Sequence, residues 1–465
     1  MDLVLLPGQH IHIVGIGGFG MSAIARILLE SGYTISGSDQ HPSALAQALA
    51  QDGAQVFVGH AGENISGAEV VLYSSAVQSD NPELQAARAA KVPVYNRREF
   101  LPALLEGQQT IAIAGTHGKT TTTALLIHVM REAGLDPSYI VGGVMKNTGR
   151  NAGAGKGEYF VIEADEYDNM FLGLSPSIAL LNNVEWDHPD FFPEPADLLR
   201  AFAQYVGRLA PDGVLVANMD DDVVQAIAGA RRERLLPVQF YGIENNSADW
   251  WAIDLEAVHG GMRFVVCQGA GTQGVIGPAQ LSIPGRHNVQ NALGALAIAR
   301  HLGIPFPEIA RAFQSFAGTG RRSEVMGEAG GVRVINDYAH HPTAIRVTLK
   351  TWRDQPGLRH LWAVWQPHTY SRIRALGESF LESFSAADHV LITDIYAARE
   401  APQPDINAKG LARAMKHADA RYSGDLFETA QLLATEVQPG DVVVLLSAGD
   451  APRIGQALLD VLNKR

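Results

Sequence analysis

Residues 111–130, IAIAGTHGKTTTTALLIHVM, run from an apolar strand pattern through Gly-Thr-His-Gly-Lys-Thr into a helix pattern. A strand that ends in glycines at the head of a helix can wrap a phosphate in backbone N–H groups, here those from Gly115 through Thr116, His117 and Gly118 to Lys119. Lys119 is long enough to reach terminal phosphates, and Thr120 or Thr121 carries a hydroxyl suited to magnesium. A nucleoside triphosphate is therefore the expected ligand. The usual spacing puts another glycine five residues before Gly118, where this chain has Ile113, so the loop is a shortened variant. His117 is read either as a phosphate contact or as filler. Leu125, Leu126, Val129, Met130 and Ala133 predict one apolar face on the helix that follows.

A second turn of the same kind lies about a hundred residues earlier, in IHIVGIGGFGMSAIARILLESG, residues 11–32. Gly15, Gly17 and Gly20 again stand between a strand and a helix, which predicts a nucleotide pyrophosphate on the helix N-terminus. Asp39 ends the next strand pattern, where dinucleotide folds place a ribose-binding acid. A chain with both turns is expected to hold two phosphate-bearing ligands.

The 465 residues suggest about three domains. A hydrophobic fraction of 46% and a charged fraction of 18% are those of a globular protein with ample core material. The net charge of -13 argues against nucleic acid and anionic membranes as partners. The one cysteine, Cys267, excludes an internal disulfide and a cysteine zinc cluster, and reads as a small buried hydrophobe. The N-terminus lacks a signal-peptide pattern, and no apolar run approaches the roughly 18 residues of a membrane span. The expected location is the cytoplasm.

Short apolar runs alternate with helix patterns throughout, predicting parallel α/β sheets. IHIVGI, TISGSD, AQVFVG and EVVLYSS form a first group of strands. TIAIAG, YFVIEA, IALLNNV, GVLVANM, MRFVVCQ and AQLSIPG form a second. VRVIND, LWAVWQ, DHVLITDIY and DVVVLLSAG form a third. Breaks near Leu105–Thr110 and Phe316–Glu324 give expected domains of residues 1–107, 108–321 and 322–465.

Polar residues cluster where these strands end, which is where open α/β sheets bind ligands. Glu163, Asp165, Glu166 and Asp168 follow one strand, and Glu163 or Glu166 beside Lys119 would give magnesium the one or two carboxylates it usually takes. Asn183, Glu185, Asp187 and His188 follow the next, with His188 a candidate for metal or phosphate contact. His287, Asn288 and Asn291 head an apolar helix; by spacing alone the asparagines read as an N-cap and a polar turn. Asp337, His340 and His341 follow one strand of the last third, and His368, Tyr370 and Arg372 the next, predicting a carboxylate pocket.

In order along the chain, GIGGFGMS, GTHGKTTTT, EADE, NNVEWDHPD, PGRHNVQNA, GTGRR, NDYAHHPT and WQPHTYSR resemble the motif series of the Mur ligase family. The resemblance spans essentially the whole chain. It implies three α/β domains: N-terminal Rossmann-like, central P-loop ATPase-like with a mixed or parallel sheet, and C-terminal Rossmann-like. It also explains two phosphate turns, one for a UDP-sugar and one for ATP with Mg2+. Gly15, Gly17, Gly18, Gly20, Met21 and Ser22 would lie on the UDP diphosphate, with Asp39, His60, Ser74, Ser75 and Arg97 around that substrate. Lys119 and Thr120 or Thr121 would hold the ATP phosphates and magnesium, with Glu163 and His188 as metal ligands. Asn288 and Asn291 would meet the adenine, which displaces their capping role. Arg322 would meet the phosphates and Asp337 the ribose, while Tyr338, His341, His368 and Arg372 would frame an amino-acid pocket.

The implied chemistry is phosphorylation of the sugar's carboxylate by ATP, followed by attack of an amino group on the acyl phosphate. Attack needs a neutral amine and hence a base; no residue is marked out as that base, and His341 is a candidate. QPHTYSR and DIYAAREAP are similar to members that attach L-alanine to UDP-N-acetylmuramate. NNVEWDHPD leans towards recycling members that attach a ready-made tripeptide to the same sugar. Tyr167, Ala344 and Thr369 stand where alanine-adding members usually have Ser, Glu and, in some, Arg. An NAD-dependent dehydrogenase would use Gly15, Gly17, Gly20 and Asp39 but leaves Gly-Lys-Thr unexplained.

Overall fold

Strands buried on both faces read as continuous apolar runs, and those runs build the centres of three sheets. The structure, a computed structural model, describes residues 3–41, 43–269, 274–398 and 400–464. The first sheet contains β1 (His10–Val14), β2 (Thr34–Asp39), β3 (Gln55–Val58), β4 (Val70–Tyr73) and β5 (Val94–Asn96). They are parallel in the order β3-β2-β1-β4-β5, so the strand order reverses between β1 and β4. The first glycine turn leaves β1 at that reversal, where such sheets open a crevice.

The second sheet has ten strands. They are β6 (Gln109–Ala114), β7 (Ser138–Met145), β8 (Arg150–Gly153), β9 (Tyr159–Glu163), β10 (Ile178–Leu181), β11 (Val214–Asn218), β12 (Val238–Gly242), β13 (Trp250–Val258), β14 (Gly261–Gln268) and β15 (Val275–Leu281). Their order is β15-β14-β13-β12-β11-β10-β6-β9-β7-β8. The centre is parallel, while β14, β15 and β8 pair antiparallel at the two margins. β6 therefore lies between β9 and β10, so the phosphate-type loop after β6 is flanked by both acidic strand ends. The third sheet holds β16 (Glu324–Ala329), β17 (Val332–Asp337), β18 (Leu361–Trp365), β19 (His389–Thr393), β20 (Ala420–Gly424) and β21 (Val442–Leu446) in the order β16-β17-β21-β18-β19-β20. β16 is its antiparallel edge.

Two expectations need correction. The helix Lys119–Glu132 has no single apolar face: every residue from Thr120 to Met130 is buried. It is sandwiched between the second sheet and the helices Arg286–His301 and Phe306–Ser315, so even its threonines lie inside. Asn288 is not a helix cap either. The helix Arg286–His301 is capped by Gly285 at φ 104°, and Asn288 lies within its first turn. The strands β5, β7, β8, β12, β13, β16 and β20 are not among the runs expected from the sequence; β5, β16 and β20 are half-exposed or exposed along much of their length and so lack an apolar run. Cys267 is buried in β14.

The first and second sheets share one apolar cluster. The helix Phe19–Glu30 lays Ile24 and Leu28 in the same core as Ile140, Ala152 and Phe160 of the second sheet. Arg150 adds an ion pair to Glu30 at 2.7 Å. The third sheet has its own two clusters, one on each face.

Candidate active site

The loop after β6 needs two glycines for steric reasons. Gly115 has φ 137°, and a Cβ there would sit 2.9 Å from Asn182 Cβ. Gly118 has φ 80°, and its Cβ would meet Asn291 Oδ1 at 2.5 Å. Only glycine allows both conformations at that distance. The loop is pinned from β10: Thr116 N–H donates to Asn183 O, and His117 N–H donates to Asn183 Oδ1 at 2.7 Å.

Lys119 Nζ donates to Gly115 O at 2.6 Å and to both oxygens of Glu166, at 3.0 and 2.7 Å. Burial pushes the Lys119 ammonium down, but the charges of Glu166, Asp165 and Glu163 outweigh it and its pKa is raised. Burial raises the Glu166 carboxyl, against the pull of Lys119 and His188. Thr120 Oγ1 donates to Glu163 Oε1 at 3.0 Å and accepts from Arg322 at 3.2 Å, while Glu163 Oε2 accepts from Gly142 N–H. His188 lies with Nε2 3.7 Å from Glu166 Oε1. Glu166, rather than Glu163, is thus the carboxylate directly on Lys119.

These groups line one cavity of about 940 Å³. Thr116, His117, Gly118, Lys119, Thr120, Thr121, Glu163, Glu166 and His188 enter it from the second sheet. Arg322, Asp337, Tyr338 and His341 enter from the third, and Asn288 and Asn291 from the helix Arg286–His301. Phe19, Gly20 and Arg97 reach it from the first. Asn288 donates to Pro284 O and accepts from Asn291. Asp337 accepts from Ser323 and Ala339 N–H groups, and its burial raises its pKa.

The other first-sheet candidates lie outside the cavity wall. Asp39 turns back on its own glycine turn, accepting from Gly17 N–H at 3.0 Å. Gly15 at φ 84° passes close to Ser74, with Ser75 next in chain, and Gly18 caps the helix in which Met21 and Ser22 are buried. His60 pairs with Ser38 at 2.9 Å and with Glu83 at 3.2 Å. Glu83 was not singled out in the sequence. It is fully buried, and despite burial His12 Nε2 at 3.7 Å and hydrogen bonds from Ser38 and Asn64 hold it down to about 2.

Two of the four amino-acid-pocket candidates also lie behind the wall. Arg372 is buried, and its Nε and Nη2 donate to Asp187 Oδ1 at 3.0 and 2.8 Å. His368 accepts from Arg372 at 3.2 Å and stacks on Tyr396. Burial opposes ionisation of Asp187, but Arg372 and the neighbouring His188, His340 and His341 hold it well below its usual range.

His341, the candidate base, has both ring nitrogens engaged. Nδ1 accepts from Thr343 N–H at 3.3 Å, and Nε2 faces Trp186 O at 3.3 Å. Burial, helped by His117, lowers it to about 4. His287 and His368 are also lowered to about 4, chiefly by burial. An unfolded histidine titrates near 6.5. Between those values the unfolded chain binds more protons than the folded one, so stability falls as pH drops. We expect the denaturation midpoint to fall between pH 6.5 and 4, by at most about 1.4 kcal/mol per pH unit for each histidine. Urea titrations at stepped pH measure this, and a flat profile would contradict it.

Glu185 joins the loop to the third sheet. His117 Nε2 lies 2.9 Å from Glu185 Oε2, and Thr343 Oγ1 donates to Glu185 Oε1 at 2.6 Å. Ligand-type atoms of His117, Glu185 and His341 all fall within 4.8 Å of one another. No local spacing signals this cluster, because 68 residues separate His117 from Glu185 and 158 separate Glu185 from Thr343.

Comparison with known proteins matches the same three parts. Residues 10–109 match the description "Mur ligase family, catalytic domain", residues 113–299 "Mur ligase middle domain" and residues 321–449 "Mur ligase, glutamate ligase domain". A UDP-N-acetylmuramate–L-alanine ligase of Desulfosudis oleivorans is 42% identical over 457 residues, covering 98% of each chain. The crystal structure of the UDP-N-acetylmuramate–alanine ligase of Thermotoga maritima superposes with a TM-score of 0.81 at 26% identity, covering 97% of this chain and 98% of that one. A murein peptide ligase of Psychrobacter arcticus gives 0.71 at 27% identity, covering 98% and 99%.

Proposed function

The chain belongs to the Mur ligase family, and from that premise we propose that it joins L-alanine to the carboxylate of UDP-N-acetylmuramate in an ATP-dependent step of peptidoglycan precursor synthesis. One observation carries the reading: the loop residues Thr116–Thr120, the first glycine turn's Gly20 and the third sheet's Tyr338 and His341 open on a single cavity. Full-length identity to an alanine-adding relative supports the choice of amino acid.

In this reading residues 1–107 hold the sugar nucleotide, residues 108–321 hold ATP, and residues 322–465 bring the amino acid. The loop N–H groups and Lys119 take the triphosphate, and Asn288 and Asn291 flank the adenine. Arg322 adds a positive charge beside Thr120, and Asp337 accepts from the ribose. Hydroxyl and carboxylate oxygens from Thr120 and Glu163, 3.0 Å apart, are the hard donors Mg2+ prefers. Thr121 and His188 flank them and complete the candidate metal set. Bound there, magnesium would neutralise charge on the transferring phosphoryl group. Lys119 does the same from the loop side, releasing Glu166 as it turns to phosphate. Arg97 faces the sugar end of the cavity, and its Nε is buried without a partner among the described residues.

Among the described residues no helix is long and apolar enough to cross a membrane, in keeping with a cytoplasmic location. The assay combines the protein, ATP, magnesium, UDP-N-acetylmuramate and either L-alanine or the tripeptide. We expect phosphate release and an amide product with L-alanine. Turnover with the tripeptide alone would reassign the amine substrate, and reduction of NAD would overturn the ligase reading.

A further inference from the structure

We propose that His117 accepts the proton of the incoming amino group and that Glu185 positions it for this, an inference that rests on the ligase reading above. An amino acid arrives as an ammonium ion, which has no lone pair with which to attack. One proton must leave first, to a group standing between the acyl phosphate and the amino acid. His117 stands there, in the loop that would hold the triphosphate, with its ring 5.0 Å from that of His341, which caps the helix after β17 of the third sheet.

Among the histidines lining the cavity, His117 alone has a carboxylate within hydrogen-bond distance of its ring. Glu185 Oε2 lies 2.9 Å from Nε2, so that nitrogen carries the hydrogen and the lone pair resides on Nδ1. No described residue occupies Nδ1 with a hydrogen bond. Glu185 is itself fixed: Thr343 donates to its other oxygen, and its N–H donates to Thr116 Oγ1 at 2.9 Å. The neighbouring titratable groups are otherwise committed. His341 has both nitrogens engaged, Lys119 is given to the phosphates in the reading above, and His340 binds Tyr338 O and faces Asp187. His188 is assigned to the metal set, and His287 is held neutral by burial.

The step balances as follows. The ammonium gives one proton to His117 Nδ1, and the freed lone pair attacks the acyl carbon. The carbon–oxygen bond to phosphate breaks, phosphate leaves with that electron pair and takes the second proton from nitrogen, and the amide remains. The imidazolium, stabilised by Glu185, then returns its proton to water.

Hydroxylamine is unprotonated at neutral pH and traps an acyl phosphate as a hydroxamate without needing a base. This separates the two half-reactions. With L-alanine omitted, His117→Ala and Glu185→Gln should lose far less hydroxamate formation from UDP-N-acetylmuramate, ATP and magnesium than they lose amide formation when L-alanine is present. With L-alanine, His117→Ala should lose about 10²–10³-fold in amide formation and recover part of it with added imidazole. Glu185→Gln should show the same split to a smaller degree. Parallel loss of hydroxamate and amide would assign His117 to phosphoryl transfer and overturn the inference, as would unchanged amide formation. If the unaltered protein gave no hydroxamate, the ligase reading itself would fall.

Discussion

Replacing Lys119 by alanine should abolish turnover, lowering phosphate release by about a thousand-fold or more, while UDP-N-acetylmuramate still binds. Donors aimed at developing phosphoryl charge contribute most in a site that excludes water, and Lys119 is proposed as such a donor. The sugar nucleotide should be spared because its turn, Gly15–Ser22, leaves a different sheet from the loop that carries Lys119. Deleting the ammonium also leaves Glu166 buried without its partner, in surroundings that already favour its protonated form. A Lys119→Met, Glu166→Gln pair removes that charge imbalance and should be as inactive as Lys119→Ala, yet more stable. Binding titration with the sugar nucleotide and a coupled phosphate assay measure the two properties. Loss of both in the stable pair would contradict separate sites.

The largest effect on stability is expected from Asp187→Asn. Asp187 and Arg372 are both about 5% exposed or less, follow strands of different sheets, and share hydrogen bonds at 2.8 and 3.0 Å. Breaking a buried pair from one side strands the other charge, at a cost of about 3–5 kcal/mol. The sign of its pH dependence follows from the depressed carboxyl. Its contribution is present above the unfolded value of about 3.9 and is lost as pH falls through the lower folded value. At neutral pH the full effect of the substitution should therefore appear as a lower denaturation midpoint. Asp187→Leu combined with Arg372→Met leaves no stranded charge and should recover most of the loss. An unchanged midpoint in Asp187→Asn would show that the pair is not buried in solution.

Much of this was legible in the chain itself. β10, β18 and β21 are buried along their length, so each reads as an unbroken apolar run with a polar end. Gly115 and Gly118 announced their loop because no other residue tolerates those backbone angles so close to Asn182 and Asn291. What stayed hidden was long-range. Asp187 meets Arg372 across 185 residues, and neither position carries a periodicity that points to the other. The same holds for His117 with Glu185, and for Glu83 beneath His60. The capping role that spacing alone suggests for Asn288 falls to Gly285, three residues earlier. The helix Lys119–Glu132 was misjudged because its threonines look solvent-facing until two further helices cover them.

The apolar seam that fuses the helix Phe19–Glu30 to β7 and β8 has a mechanical consequence. Two of the three bodies are welded, whereas the third meets them at the cleft through polar groups such as Arg322, Thr343 and Arg372. If the cavity closes on its ligands, we therefore expect the C-terminal body to move against the other two travelling as one unit, a rearrangement that solution scattering with and without nucleotide would detect.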